Sequence, residues 1–316
     1  MCNASSGVSH RMGLEEKQPL MDLQELFSQE CIISARPLSP GYDDHSSDVW
    51  HVVTQKREVV VRASKLGGPD SIFWKGCNLL FGIDPSDVFR LEKVNAALAA
   101  AGGIAVPRVL EKRMLDRPYL VLEYLPGQML DSFYGRTPAF LERFGAGLAR
   151  IHEGTMRNYA GSPDGAFRIA LSEFHGHMAE CMERMVADVY GADAKITAAL
   201  KQMLFAVRAL PAPREACFVM PDIDPTQFLT DWESITGLVD TEAYGLGPRA
   251  LDFVALEYVF SPREAAAFAR GYQTVLALPE LSACRTPYRY LYRLMEIQDR
   301  VDLDEWLSFP AVFENV

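Results

Sequence analysis

From Gly127 onward the chain is patterned almost wholly for helices, and one stretch rich in β-forming residues, 218–240, interrupts it. A short β unit enclosed by helices must pair within itself and lay its apolar face on those helices. That restricts the chain to a mixed α+β architecture. Before Gly127 the balance is reversed. Residues 49–54 read as a strand, Gln55-Lys56-Arg57 as a hairpin turn and 58–63 as a β-branched return strand, with further strands at 108–112 and 119–124. One helix falls among them. It is expected to start near Asp84 as N-cap with Pro85 at the first helical position, to run through Val88, Leu91, Val94 and Leu98, and to stop at Gly102-Gly103.

The expected organisation is a loose tail over 1–19, a β-rich lobe over 20–127 and a helical lobe over 128–316. Within the first lobe, 21–31 reads as a short amphipathic helix with Leu23, Leu26 and Phe27 on one side. Residues 39–44 read as a turn and 64–83 as a long connection. Helices are expected at 139–152, 173–190 and 194–210, each from a 3.6-residue apolar period, and further helices at 249–260, 263–276 and 287–301 complete the chain. No internal repeat or low-complexity tract is visible.

Composition excludes several classes. With 49% hydrophobic and 23% charged residues the 316-residue chain can bury a core and is not a disordered sequence. A formal net charge of −11 argues against nucleic acid, whose phosphates require clustered Lys and Arg. The six cysteines are scattered without a CxxC pair, so neither a zinc site nor a disulfide framework is indicated, and free thiols in a reducing compartment are expected. Residues 1–19 lack the apolar run of a secretory signal and nothing reaches about 18 consecutive apolar residues, so a cytoplasmic, non-membrane protein is expected.

The chemistry concentrates in Cys217-Phe-Val-Met-Pro-Asp222-Ile-Asp224-Pro225-Thr-Gln227, followed by Ile235-Thr-Gly-Leu-Val-Asp240-Thr-Glu242. An apolar strand delivers Asp222 into a short loop, Gln227 opens a second strand, and a turn at 231–234 leads to a third that ends at Asp240. Such a hairpin brings Asp222, Gln227 and Asp240 to one edge. Two carboxylates and an amide carbonyl are hard oxygen ligands suited to Mg2+, which takes few protein ligands and completes its shell with phosphate oxygens. Phosphoryl transfer needs that metal and a carboxylate to orient the attacking hydroxyl. Asp222 suits the second task, and Gln227 with Asp240 the first. Each Asp taken singly could equally be a turn residue.

The same run resembles the catalytic loop of aminoglycoside phosphotransferases, choline kinases and their relatives, usually His-Gly-Asp-Leu-His-Pro-Gly-Asn. Met220-Pro221-Asp222-Ile223-Asp224-Pro225-Thr226-Gln227 fills those eight places, and Asp240-Thr241-Glu242 matches the family's metal-binding Asp with its following residues. Gly247-Pro248-Arg249-Ala250-Leu251-Asp252-Phe253 resembles a helix start in which Asp252 holds the loop. The resemblance implies a bilobal protein-kinase-like fold with nucleotide between the lobes, and ATP- or GTP-dependent phosphorylation of a small-molecule hydroxyl with Mg2+. It also implies a phosphate-covering hairpin with Ser46 and Ser47, Arg62 in place of the third-strand lysine, and Glu92 as its ion-pair partner. Leu122-Glu123-Tyr124-Leu125-Pro126-Gly127 resembles the hinge, which places Glu123, Tyr124 and Leu125 against the base. Phe144-Gly-Ala-Gly-Leu-Ala-Arg-Ile151-His152 resembles a structural helix that ends in a packed histidine.

The departures are Met220 for His, Pro221 for Gly, Asp224 for the second His and Gln227 for Asn. They motivate an alternative, a kinase-fold nucleotide-binding or regulatory protein without turnover. Other signals are weak. No Gly-Lys-Ser/Thr loop or GxSxG elbow is present. Gly145-Ala-Gly147 lies within a helix, His175 and His177 diverge on one, and Tyr288, Tyr290, Tyr292 and Trp306 suit a core better than a pocket.

Overall fold

The computed structural model describes residues 23–38, 47–65 and 71–314. Ser46, the 39–44 turn and the 1–19 tail lie outside these segments. The β-branched runs near the start form a five-stranded antiparallel sheet in the order β1-β2-β3-β5-β4. Its strands are β1 (Ile32–Pro37), β2 (Ser47–Thr54), β3 (Glu58–Ser64), β4 (Val109–Met114) and β5 (Pro118–Glu123). Side chains alternate between the faces of a strand. Val59, Val61 and Ala63 are therefore buried on one face with Trp50, Tyr119 and Val121, covered by Leu23 and Leu26 of the helical turn α1 (23–26) and by Phe27 just after it. Val60 turns to the other face, against Val88, Leu91, Leu120 and Leu122. Arg62 shares that parity, which aims it across the molecule.

Two expectations are corrected here. The supposed connection 64–83 contains a ten-residue helix, α2 (Ile72–Phe81). Ser71 caps it by accepting from the Trp74 amide at 3.3 Å, and Gly82 ends it at φ 66°. Gly76, a poor helix residue, is tolerated because a Cβ there would strike the Met295 side chain. Its absence lets the helix lie close against the helical half of the chain. Cys77, Leu80 and Phe81 are wholly buried in that core, and Leu80 and Phe81 each contribute about 1.5–3 kcal/mol. The second correction concerns the start of the next helix. Asp84 instead closes a turn by accepting from the amide and hydroxyl of Ser86, a 3-10 turn covers Val88–Arg90, and α3 begins only at Leu91 and ends at Ala101.

The remaining helices are α4 (Pro138–Gly154), α5 (Phe174–Val189), α6 (Ala194–Arg208), α7 (Ala250–Leu256), α8 (Pro262–Tyr272), α9 (Arg285–Met295) and α10 (Leu303–Leu307). Short strands lie among them. Here β6 (Gln128–Met129), β10 (Phe228–Thr230) and β11 (Ile235–Leu238) form one sheet in the order β11-β10-β6. A second, in the order β8-β7-β12-β9, joins β7 (Tyr159–Gly161), β8 (Arg168–Ala170), β9 (Cys217–Val219) and β12 (Gly245–Gly247). The strands of two and three residues at 128, 159, 168 and 245 are too short to carry a readable alternation. Tyr288, Tyr290, Tyr292 and Trp306 are core residues, each at most 2% exposed.

Helices α4 and α8 meet backbone to backbone. A Cβ at Gly271 would collide with the Glu142 carbonyl, and one at Gly145 with the Phe268 carbonyl. The glycines at 145 and 147 thus serve helix contact, Gly147 facing Ile104 and Gly103. Gly271→Ala is expected to destabilise the protein by about 3 kcal/mol through this overpacking, read as a lowered urea midpoint with an unchanged slope.

Candidate active site

The loop 220–227 is held from beneath by a buried chain of hydrogen bonds. His152 closes α4 with Nε2 3.0 Å from the Asp252 carboxylate and Nδ1 2.8 Å from the Tyr272 hydroxyl; His152 and Asp252 are wholly buried. The other oxygen of Asp252 accepts from the Met220 amide at 2.8 Å. Burial pushes the Asp252 carboxyl upward, and His152 opposes that shift. These residues hold the loop, as their motif positions imply.

Within the loop, Asp224 starts the 3-10 turn Pro225–Gln227 by accepting from the Thr226 amide at 2.8 Å. Gln227 completes a capping box. Its Oε1 accepts from the Asp224 amide at 3.3 Å, and its Nε2 donates to the Asp222 carbonyl at 2.7 Å. The extra methylene of Gln227 thus lets the side chain brace the loop from inside. The carbonyl oxygen carries a second lone pair that the Asp224 amide does not use. Pro225 suits the first position of such a turn because the N–H it lacks has no partner there.

Asp240 follows β11 in the left-handed region at φ 59° and ψ 51°, a conformation Asp tolerates better than most residues. Its carboxylate is 44% exposed. Arg62 crosses from β3 to meet it, Nη2 lying 2.8 Å from Oδ1, while Arg62 Nε lies 2.5 Å from Glu242 Oε1. Arg62, Asp222, Asp224, Gln227, Asp240 and Glu242 line one cavity of about 680 Å3. Its opposite wall is Ile72, Phe73 and Trp74 of α2 with residues 295–300 at the end of α9. Burial, then the neighbouring Asp224 and Asp240 carboxylates, push the Asp222 carboxyl up to about 8.

The structure brings Asp222, Gln227, Asp240 and Arg62 together, but not the rest of the expected set. Glu92 is 48% exposed and pairs with Lys112, so the expected Arg62–Glu92 ion pair is not formed. Residue 92 lies on the solvent side of α3, where Leu91, Val94 and Asn95 take the buried positions. Ser47 is buried and donates to Glu242 at 2.9 Å. Of the residues expected at a hinge, Glu123 pairs with Arg108 at 3.0 Å, the Tyr124 ring lies tilted 4.7 Å from His51, and Leu125 lines a second cavity with Ala105, Thr230, Trp232 and Thr236. Sequence reasoning missed α2 as a wall of the site. Ser71 before the apolar run and Gly82 after it were the available signals. It also gave Glu242 no role, although the residue lies two positions from Asp240.

A β-rich lobe joined to a helical one, with a carboxylate loop and a second carboxylate facing the cleft, defines a small-molecule kinase of the protein-kinase-like α+β class. The chain belongs to the phosphotransferase enzyme family, which matches residues 36–286. Solved structures share the fold. Macrolide 2'-phosphotransferase MphH from Brachybacterium faecium superposes with a TM-score of 0.57 at 16% identity, over 88% of this chain and 92% of that one. A point mutant of aminoglycoside 2'-phosphotransferase-IIIa, in complex with GDP, gives 0.61 at 15% identity, over 89% and 88%. Spectinomycin phosphotransferase, with ADP and spectinomycin, gives 0.58 at 14% identity, over 92% of both chains. Comparison with curated protein sequences gave no match. Among the described residues no helix is long and apolar enough to cross a membrane.

Proposed function

We propose that this protein transfers the terminal phosphoryl group of ATP or GTP to a hydroxyl of a small molecule. The observation that carries the reading is the convergence of Asp222, Gln227, Asp240 and Arg62 on one cavity walled by α2. Asp222 would orient the acceptor hydroxyl and take its proton; a carboxyl raised to about 8 is basic enough for that task. Asp240 and the Gln227 carbonyl oxygen would suit Mg2+, as one carboxylate and one amide oxygen leave most of the shell to phosphates. The cation would neutralise the phosphate oxygens during transfer. Arg62 would grip the same phosphates from the sheet side. The acceptor would stand between Asp222 and the aromatic pair Phe73 and Trp74. Ser47 and the hinge residues Glu123, Tyr124 and Leu125 are assigned to the nucleotide by resemblance, as is Ser46 outside the described segments. Nucleotide-bound relatives support a nucleotide co-substrate, and a cytoplasmic setting accords with the cysteine usage.

The second reading, a nucleotide-binding protein without turnover, draws on one arrangement. The Gln227 amide is engaged within its own loop, and the Arg62 guanidinium already occupies Asp240.

The test is thermal unfolding with ATP and with GTP, each with and without Mg2+. Ligand at 100 times Kd adds about 2.7 kcal/mol, so a rise of several degrees that needs Mg2+ is expected with at least one nucleotide. No shift with either would refute both readings. A shift without phosphate transfer across a panel of hydroxylated amines, sugars and macrolides would favour the second.

A further inference from the structure

We infer that Glu242 is the positioning residue for Arg62, taking the place of the helix-borne glutamate that the kinase-like arrangement would put at Glu92. The inference rests on the phosphotransferase reading above and concerns how its phosphate-gripping arginine is held.

Glu92 is unsuited to the task by geometry, being half-exposed on α3 and engaged with Lys112. Glu242 has the required placement. It is 3% exposed, it sits two residues beyond Asp240, and it lies 2.5 Å from Arg62 Nε. Its Oε1 also accepts from the Ser47 hydroxyl of β2, and its backbone carbonyl accepts from Arg90 Nη2 at 2.7 Å. One residue of the helical lobe is thereby tied to β2, to β3 and to the turn preceding α3. A buried carboxylate is costly unless it is paired and hydrogen-bonded, and Glu242 is both.

The division of Arg62 between two carboxylates explains why the second is needed. A guanidinium is permanently charged and presents a planar fork of donors. Nη2 donates to Asp240 at 2.8 Å, while Nε meets Glu242 as a close ion pair without the alignment of a hydrogen bond. When Asp240 turns to a cation, the Nη2 contact is lost and the arginine would be left to its rotamer freedom. The ion pair with Glu242 keeps the stem of the side chain in place while Arg62 still lines the cavity, where it can meet phosphate. In this arrangement the anchor travels with the metal loop, so the arginine and Asp240 are set by the same short turn, Thr241–Ala243. A helix-borne partner would instead make that placement depend on where α3 sits.

The experiment compares wild type, E242Q, E92Q, R62Q and the E242Q/R62Q double variant, with ATP and GTP affinities measured calorimetrically in Mg2+ and urea midpoints measured without ligand. E242Q is expected to weaken nucleotide binding about tenfold and E92Q less than twofold. The double variant is expected to bind within twofold of R62Q, because Glu242 acts through Arg62. A merely structural Glu242 would give losses that multiply in the double variant and would lower the urea midpoint in proportion. E242Q binding like wild type, or E92Q weakening binding as much as E242Q, would overturn the assignment while leaving the phosphotransferase reading intact. Wild type that binds neither nucleotide would overturn that reading and this role with it.

Discussion

Replacing Asp240 with asparagine is expected to lower Mg2+-dependent phosphate transfer by roughly 10^3-fold or more, equivalent to about 4 kcal/mol of lost transition-state stabilisation. Asparagine is the informative choice. It keeps the size of the side chain and tolerates the left-handed backbone at φ 59°, where alanine would add strain. It removes the carboxylate proposed, with the Gln227 carbonyl, for the metal, and it takes away one of the two ion pairs of Arg62 while leaving Glu242 in place. The nucleotide-induced thermal shift should lose its Mg2+ dependence in the same variant. A variant that turns over within tenfold of wild type at saturating Mg2+ would remove Asp240 from the metal site. The cavity around Asp222 would then need another source of positive charge.

The second large effect is expected at Asp222→Asn, where activity and stability move in opposite directions. Transfer should fall by about 10^2–10^4-fold, the range for a positioned proton acceptor, while nucleotide affinity stays within about threefold, since the role proposed for Asp222 is toward the acceptor and not the nucleotide. Stability should rise, with a defined pH dependence. In the folded protein without metal the carboxyl keeps its proton up to about 8, through burial and then the charges of Asp224 and Asp240. An unfolded chain releases it near 3.9. Between those values the folded state binds more protons than the unfolded state, so wild-type stability declines as pH rises from about 4 to about 8. Asparagine carries no such proton. With EDTA present at pH 8, the variant should be more stable on the order of 3 kcal/mol, about half the full linkage value because Asp222 keeps some contact with solvent. The gain should vanish by pH 4. Urea midpoints at pH 8, 6 and 4 measure it, and equal midpoints for the two proteins at every pH would show that the carboxyl is not raised.

The Asp222, Gln227 and Asp240 constellation was legible because it is local. A strand, a capped turn and a hairpin fit within two dozen residues, and alternation and turn chemistry act over that range. His152 and Asp252 were legible for the same reason, each marking the end or start of an amphipathic helix. The helix α2 was not. Its interior Gly76 and the Gly67-Gly68-Pro69 approach read as a connection, and the helix owes its place to Met295, over two hundred residues away, whose side chain fills the space a Cβ would take. The helix expected at Asp84 failed in the opposite way. The Asp and Pro were read as a cap, and Asp84 closes its own turn with Ser86.

By itself the sequence determined the α+β class and the loop that carries Asp222. Each follows from periodicities of two and 3.6 residues or from turn residues acting on near neighbours. Only the tertiary structure decided what Arg62 meets. Its partners Asp240 and Glu242 lie 178 and 180 positions further along the chain, and Glu92, the nearer candidate, is turned to solvent by the face α3 buries. Long-range ion pairing is set by which elements the core brings face to face, and no local pattern records that choice.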